Sequence, residues 1–268
     1  MVASGTGRSM TNKTIAIANQ KGGSAKTTTA VSMAAVMAER GLRVLLIDLD
    51  PQASASAWLG VPDGTDGLER VFTRKAHISD FVHDTNISGL SIIAASPWLA
   101  VADRAIAGEP GAELIFAKAI KSMPAKWDYV LIDCPPALGF LCVSAMAAAR
   151  SVLVPVEASS MALAGVARLQ ETVDLVNDRL NPSLELRYVL AARVDHTNLS
   201  RDVVAALGEK FGKRLLKTGI RDSVRVREAW SYQEPVITYA PNCTASEDYR
   251  AATAELLNLE NKERHHGN

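Results

Sequence analysis

The sequence of 268 residues has only three cysteines, few aromatic residues and no net charge. Three cysteines are too few for a disulfide-stapled scaffold. The longest uncharged runs, residues 85–102 and 134–149, contain prolines and polar residues, whereas a membrane-spanning helix needs about 20 mostly apolar residues. Residues 1–11 lack the apolar centre of a secretory signal. These absences exclude a disulfide-rich or membrane-spanning chain, and we expect a reducing, cytoplasmic setting.

Hydrophobic residues make up 48% of the chain and charged residues 22%, which is typical of a globular protein. The charges are unevenly distributed, because residues 187–228 contain ten basic side chains and five acidic ones. A neutral protein can therefore still have a basic face.

Short apolar runs alternate with amphipathic stretches along the chain. We predict strands at residues 14–19, 43–48, 90–95, 129–133, 151–156 and 186–193. We predict helices at residues 27–40, 103–122, 140–150, 162–180, 201–211 and 244–259, with Gly41 capping the first. This alternation predicts an α/β fold, a single doubly wound and mostly parallel sheet flanked by helices. We expect one domain over residues 13–259, a leader over residues 1–12 with Met10 as an alternative start, and a polar tail over residues 260–268.

The most informative stretch is NQKGGSAKTTT at residues 19–29. It follows a predicted strand and opens a predicted helix, which is the context of a phosphate-binding loop. Gly22 and Gly23 allow the backbone to approach an anion, and the helix N-terminus offers free N–H groups. Lys26 would contact the β- and γ-phosphates, and the Thr27 hydroxyl would reach Mg²⁺.

The loop departs from the pattern G-x-x-x-x-G-K-[ST], because Gln20 and Ala25 occupy the two glycine positions. It fits the variant K-G-G-x-x-K-T, which has an additional lysine at Lys21. If residue 25 needs a positive φ, alanine costs about 1 kcal/mol relative to glycine there. The alternative interpretation is a glycine-rich turn with solubilising lysines.

Two groups of carboxylates follow apolar strands. Asp48 and Asp50 end the second strand, and Asp133 ends the strand at residues 129–133. Because the C-terminal ends of parallel strands border one crevice, these side chains are candidates to hold Mg²⁺ and to orient an attacking water. Helix capping is the alternative for any one of them.

Four segments together resemble the ParA/MinD family of deviant Walker A ATPases: KGGSAKTTT, DLDPQASAS, DCPPALG and VPVEASSMALAGVARL. The pattern is most similar to small ParA/Soj partition proteins without an N-terminal helix-turn-helix domain, and it extends from about residue 13 to residue 257. The resemblance implies a P-loop NTPase fold, ATP and Mg²⁺ as cofactors, and slow, partner-stimulated ATP hydrolysis.

The resemblance also implies a role for each matching residue. Lys21 reaches the nucleotide of the partner in an ATP-sandwiched homodimer, Lys26 acts as the Walker lysine, and Asp50 positions the attacking water. The implied metal residues are Thr27, Asp48 and Asp133. The implied nucleotide contacts are Gly22, Gly23, Ser24, Ala25, Lys26, Thr27 and Thr28 in the loop, with Arg193, Asp195 and Arg221 bordering the adenine.

The resemblance does not decide which process ATP hydrolysis drives, because one ATPase core can serve several functions. The first hypothesis is a nucleoid-associated switch that binds non-specific double-stranded DNA in its ATP state and positions a cargo with a ParB-like adaptor. Its candidate DNA contacts are Arg201, Lys213, Arg214, Lys217, Arg221, Arg225 and Arg227, since basic side chains supply sequence-independent affinity. A solvated charged face is the alternative reading of these residues.

Two other functions are disfavoured. A MinD-like membrane-cycling regulator needs a basic amphipathic C-terminal helix, and residues 255–266 are too acidic, so we expect no membrane partner. An iron–sulfur ATPase needs a cysteine pattern that Cys134, Cys142 and Cys243 do not form. A metabolic ATP-dependent ligase or kinase stays open as an alternative, although it should not need Lys21.

Overall fold

The computed structural model describes residues 14–61, 67–74, 76–159 and 162–266. The predicted leader at residues 1–12 lies outside the described residues. Within them, no helix is long and apolar enough to cross a membrane.

A seven-stranded sheet forms the centre of the molecule. Its strands are β1 (Thr14–Ile17), β2 (Val44–Asp48), β3 (Val82–Asp84), β4 (Leu90–Ile93), β5 (Tyr129–Asp133), β6 (Ser151–Glu157) and β7 (Glu185–Ala192). They lie in the order β3-β4-β2-β5-β1-β6-β7, and every pair is parallel except β3–β4. This arrangement confirms the predicted α/β class and the mostly parallel sheet.

Helices cover both faces of the sheet. They are α1 (Lys26–Glu39), α2 (Ser54–Trp58), α3 (Leu68–Phe72), α4 (Trp98–Ile106), α5 (Glu113–Ser122), α6 (Phe140–Ala148), α7 (Ala162–Arg179), α8 (Asn198–Phe211), α9 (Val224–Ser231), α10 (Val236–Tyr239) and α11 (Thr244–His266). Within the described ranges, 3-10 helices occupy Ile78–Phe81 and Gly212–Arg214.

The strands are apolar throughout because both of their faces are buried. In β5, for example, Val130 and Ile132 join the hydrophobic cluster that includes residues of α5, α6 and α7, whereas Tyr129 and Leu131 join the cluster that includes residues of α1 and α11. Alternate side chains of a strand point to opposite faces, so a doubly covered strand needs apolar residues at every position.

Two predicted helix boundaries were wrong. The helix predicted over residues 103–122 is two helices, α4 and α5, separated by a turn that contains Gly108, Pro110 and Gly111, the last with φ of +75°. Proline and a left-handed glycine both interrupt helical hydrogen bonding. At the C-terminus, α11 continues through His266, beyond the predicted end at residue 259.

The extension of α11 into the predicted polar tail has a structural cause at its start. Glu260 is buried, and its Oε1 accepts a hydrogen bond of 2.6 Å from the Tyr188 hydroxyl on β7. This contact joins residue 260 to the fold, so residue 260 is part of the packed helix.

Candidate nucleotide site

The phosphate loop leaves the centre of the sheet, because β1 lies between β5 and β6. Asn19 fixes its beginning: its side-chain amide donates to the Pro155 carbonyl at 2.7 Å, and its Oδ1 accepts from the Lys21 backbone N–H at 3.1 Å. Gly23 has φ of +73°, a left-handed conformation that glycine adopts without strain. The loop then runs directly into α1, whose N-terminus offers unpaired N–H groups to an anion.

Ala25 is the strained residue of the loop. It has φ of 65° and ψ of 24°, in the left-handed region, immediately before α1 begins at Lys26. Residue 25 therefore has the positive φ on which the predicted cost depends. The alanine Cβ costs about 1 kcal/mol there relative to glycine.

Replacing Ala25 with glycine should raise the free energy of unfolding of the nucleotide-free protein by up to about 1 kcal/mol, because the left-handed strain is relieved. Urea denaturation measures this difference. Ala105→Gly on the exposed face of α4 is the matched control, and it should lower stability by about 0.5–1 kcal/mol. A destabilising Ala25→Gly would contradict the strain at this position.

Lys26 and Thr27 occupy the first turn of α1. Lys26 is buried, and its Nζ donates to the Lys21 carbonyl of the same loop at 3.4 Å. An ammonium held over the loop by a single backbone contact is placed to exchange that carbonyl for a phosphate oxygen, because phosphate is the stronger acceptor.

Asp133 lies at the C-terminal end of β5, opposite Asp48 in the register of β2 and β5. Asp133 is fully buried, and among the described residues neither carboxylate oxygen has a hydrogen-bond partner. Burial holds the pKa of Asp133 well above its usual range, and the neighbouring Asp48 carboxylate raises the pKa further, against the lowering effect of the Thr27 hydroxyl and the Lys26 ammonium. A buried carboxylate without a partner, next to a threonine hydroxyl, fits the ligand chemistry of Mg²⁺.

Asp48 is also fully buried, but its carboxylate is already occupied. Its Oδ1 accepts from the Asp50 backbone N–H at 3.2 Å, and its Oδ2 accepts from the Ser56 N–H at 2.8 Å and the Ser56 hydroxyl at 2.7 Å. These bonds hold the turn that carries Asp50 and the start of α2. Direct metal ligation by Asp48 stays a prediction, and in this structure the residue supports the Asp50 segment.

Burial raises the pKa of Asp48 to about 6, against the lowering effect of its Ser56 and Asp50 hydrogen bonds. An unfolded aspartate has a pKa near 4, so the folded state binds this proton more tightly. The resulting stabilisation is fully present below about pH 4 and is lost as pH rises through about 6. The free energy of unfolding of the wild type minus that of Asp48→Asn should therefore fall by about 2 kcal/mol between about pH 4 and pH 7. Asp80→Asn, at an exposed position, is the control and should show no such trend.

A cavity of about 370 Å³ opens against the phosphate loop. Its lining includes residues 22–28 and Asp50. The C-terminal part of the chain contributes a second group, called here the C-terminal lining: Arg193, Ile220, Arg221, Asp222, Ser223, Val226, Arg227 and Tyr249. Its size suits a bound small molecule. Residues from the loop and from chain segments about 200 residues later thus enclose one space.

The three predicted adenine-bordering residues have different positions. Arg193 and Arg221 line the cavity. Asp195 is not among the lining residues: its Oδ1 accepts hydrogen bonds from the Thr197 backbone and side chain, which lower the pKa of Asp195. Sequence reasoning missed Ile220, Asp222, Val226 and Tyr249, because no local pattern distinguishes them from ordinary core or loop residues.

Lys21 lies beside the cavity and does not line it. Its ammonium forms an ion pair with Glu157 at the end of β6 and lies 3.3 Å from the Ser159 hydroxyl. The other Glu157 oxygen lies 3.4 Å from the Arg193 guanidinium.

All seven candidate DNA contacts are exposed, but they do not form one uninterrupted patch of free charge. Arg221 pairs with Asp248 at 2.7 Å, Arg225 with Glu228 at 2.7 Å, and Arg227 with Asp222 at 3.8 Å. The other four lie on α8, on the 3-10 helix after it and on the loop that follows: Arg201, Lys213, Arg214 and Lys217. The basic character is thus partly neutralised around α9.

Comparisons with known proteins show what this chain is similar to. A protein-family model described as an AAA domain matches residues 12–186. The sporulation initiation inhibitor protein Soj of Bacillus subtilis is 37% identical over 91% of this chain and 98% of its own length. The chromosome partitioning protein ParA of Myxococcus xanthus is 35% identical over 91% of this chain and 87% of its own length.

Among solved structures, cobyrinic acid a,c-diamide synthase from Mycobacterium smegmatis, with a bound ATP analogue and magnesium, superimposes with a TM-score of 0.80. It is 30% identical, and the match covers 91% of this chain and 94% of that chain.

Proposed function

This chain belongs to the ParA/Soj family of partition ATPases, and we propose that it is an ATP-driven switch that dimerises, binds non-specific DNA and positions a cargo. The observation that supports this proposal is that Lys26 of the phosphate loop and Asp50 after β2 line one cavity, with Lys21 of the same loop beside it. A ParB-like adaptor would stimulate hydrolysis, and the cargo would be a plasmid, a chromosome region or a large protein complex. The DNA contacts would place the protein at the nucleoid.

ATP would bind with its phosphates against the loop N–H groups and Lys26. Its base would lie toward the C-terminal lining of the cavity. Thr27 and Asp133 would hold Mg²⁺, and Asp48, which lies opposite Asp133 in the register of β2 and β5, is the third candidate. When bound, Mg²⁺ neutralises part of the negative charge of the phosphates. The Asp133 carboxylate, which lacks a hydrogen-bond partner among the described residues, supports this assignment.

Asp50 would orient the attacking water. It lines the cavity, and its backbone is fixed by the bond from its N–H to Asp48 and by the bond from the Ala53 N–H to its carbonyl at 2.8 Å. A carboxylate held on a rigid turn can accept a proton or position a water with little reorganisation.

Lys21 would cross to the nucleotide of a second subunit in the closed dimer. Two copies of the basic surface would then face DNA together, and the second set of contacts would form at high effective concentration. ATP would act as a switch only if it binds the closed dimer more tightly than the open subunit.

The test is binding to a random-sequence DNA duplex with ATP, a slowly hydrolysed ATP analogue, ADP and no nucleotide, over a series of salt concentrations. We expect binding with the two triphosphates alone, weakening steeply with salt. Lys213→Ala should reduce the slope of log affinity against log salt by about 2, because the dimer presents this side chain twice, and Lys118→Ala on α5 is the matched control. Absence of DNA binding in every nucleotide state would refute the DNA part of the proposal.

A further inference from the structure

A row of alternating charges connects the phosphate loop with α9 along the lining of the cavity. Lys21 pairs with Glu157, Glu157 with Arg193 at 3.4 Å, Arg193 with Asp222 at 3.6 Å, and Asp222 with Arg227 at 3.8 Å. Arg193, Asp222 and Arg227 line the cavity, so the row borders the space proposed for the nucleotide.

Lys21 has three restraints within its own subunit. Its backbone N–H donates to Asn19, its ammonium donates to Glu157, and the Ser159 hydroxyl accepts from the same ammonium at 3.3 Å. Glu157 is the last residue of β6, where its backbone pairs with Ala192 of β7, and this pairing holds the carboxylate beside the loop. While the ion pair with Glu157 is closed, the Lys21 ammonium is directed at its own subunit.

We propose that Glu157 is a positioning residue for Lys21: it retains the lysine within its own subunit in the nucleotide-free chain, and the dimer forms only when this ion pair opens. This inference rests on the proposed function, since it assumes that Lys21 contacts the partner's nucleotide. Glu157 thereby sets the ATP and protein concentrations at which dimers appear.

The strength of the ion pair suits such a role. The side chains of Lys21 and Glu157 are 46% and 26% exposed, so solvent screens their attraction. Partly exposed pairs of this kind change an equilibrium by about two- to five-fold. One pair opens in each subunit, so the effect enters the dimer equilibrium twice and amounts to about four- to twenty-five-fold. This is enough to suppress dimers without ATP and small enough to be overcome.

The first measurement is made on the nucleotide-free protein and does not depend on dimerisation. Lys21 is acylated with a limiting amount of acetic anhydride, and its labelling rate is compared by mass spectrometry with that of Lys118 in the same chain. In Glu157→Gln the relative rate for Lys21 should rise about two- to five-fold. Glu185→Gln, which removes an exposed carboxylate paired with Arg187 on β7, is the matched control and should leave the Lys21 rate unchanged.

The second measurement is ATP-dependent dimerisation by analytical ultracentrifugation. Glu157→Gln should strengthen the ATP dimer by about four- to twenty-five-fold, Glu157→Asp should restore part of the wild-type behaviour, and the double variant Lys21→Ala/Glu157→Gln should stay monomeric. A merely structural role for Glu157 would weaken dimers and lower the melting temperature together.

Each outcome decides the inference. An unchanged Lys21 labelling rate in Glu157→Gln overturns it, even if the wild type dimerises and the proposed function stands. Faster labelling with unchanged dimerisation shows that Glu157 holds Lys21 but overturns its control of the dimer. A wild type that does not dimerise with ATP refutes the proposed function itself, and the labelling experiment still shows whether Glu157 retains Lys21.

Discussion

Replacing Asp50 with alanine is expected to slow ATP hydrolysis by at least about 100-fold and to leave the protein on DNA for as long as ATP is present. A positioned acid–base or water-orienting carboxylate contributes about 100- to 10,000-fold to a rate. The phosphate loop and Lys26 are unaffected by the substitution, so ATP still binds and the closed state persists. Phosphate release measures the rate, and DNA retention after dilution measures the lifetime of the bound state.

The substitution also removes a local hydrogen bond, in which Asp50 Oδ1 accepts from the Gln52 N–H at 3.0 Å. Its loss costs about 1 kcal/mol of stability, which is too little to unfold the domain. Asp80→Ala, at an exposed position that is not among the residues lining the cavity, is the control for the loss of a carboxylate. Hydrolysis by Asp50→Ala at the wild-type rate would remove Asp50 from the proposed mechanism.

Lys21→Ala is expected to abolish ATP-dependent dimerisation. Each subunit would lose one charge-assisted hydrogen bond to the partner's phosphates, worth about 1.5–3 kcal/mol, and the dimer contains two of them. The dimer equilibrium should therefore weaken by about two to four powers of ten. Sedimentation at fixed protein concentration, with and without the slowly hydrolysed analogue, measures the change.

ATP binding by the single subunit should still be detectable in Lys21→Ala, because Lys26 and the loop N–H groups remain. Lys118→Ala removes an equivalent charge from α5 and should dimerise as the wild type does. DNA binding should disappear together with the dimer. Normal dimerisation of Lys21→Ala would count directly against a lysine that crosses between subunits.

Much of the fold could be predicted from local pattern. The buried strands are recognisable because a strand covered on both faces must be apolar at consecutive positions, as β2 and β5 are. Gly41, with φ of +81°, ends α1 where the sequence placed a cap. Pro110 and the glycines beside it are also a local signal for the break between α4 and α5, because both residue types interrupt a helix.

The short elements could not be predicted in the same way. Strand β3 has three residues and α10 four, too few to show a period of 2 or 3.6. The C-terminal lining of the cavity includes Ile220, Val226 and Tyr249, whose residue types are common in any core. Their role arises only from the packing of α9 and α11 near the phosphate loop.

By itself, the sequence determined the phosphate loop, the succession of the main strands and helices along the chain, and the membership of the family. These features depend on residues adjacent along the chain. Only the tertiary structure decided that Asp48 supports Asp50 through hydrogen bonds, that Asp195 is not among the residues lining the cavity, and that Lys21 pairs with Glu157. Residues 21 and 157 are 136 positions apart and meet because the sheet places β6 beside β1. Contacts of this kind follow from strand order and packing, which local periodicity does not encode.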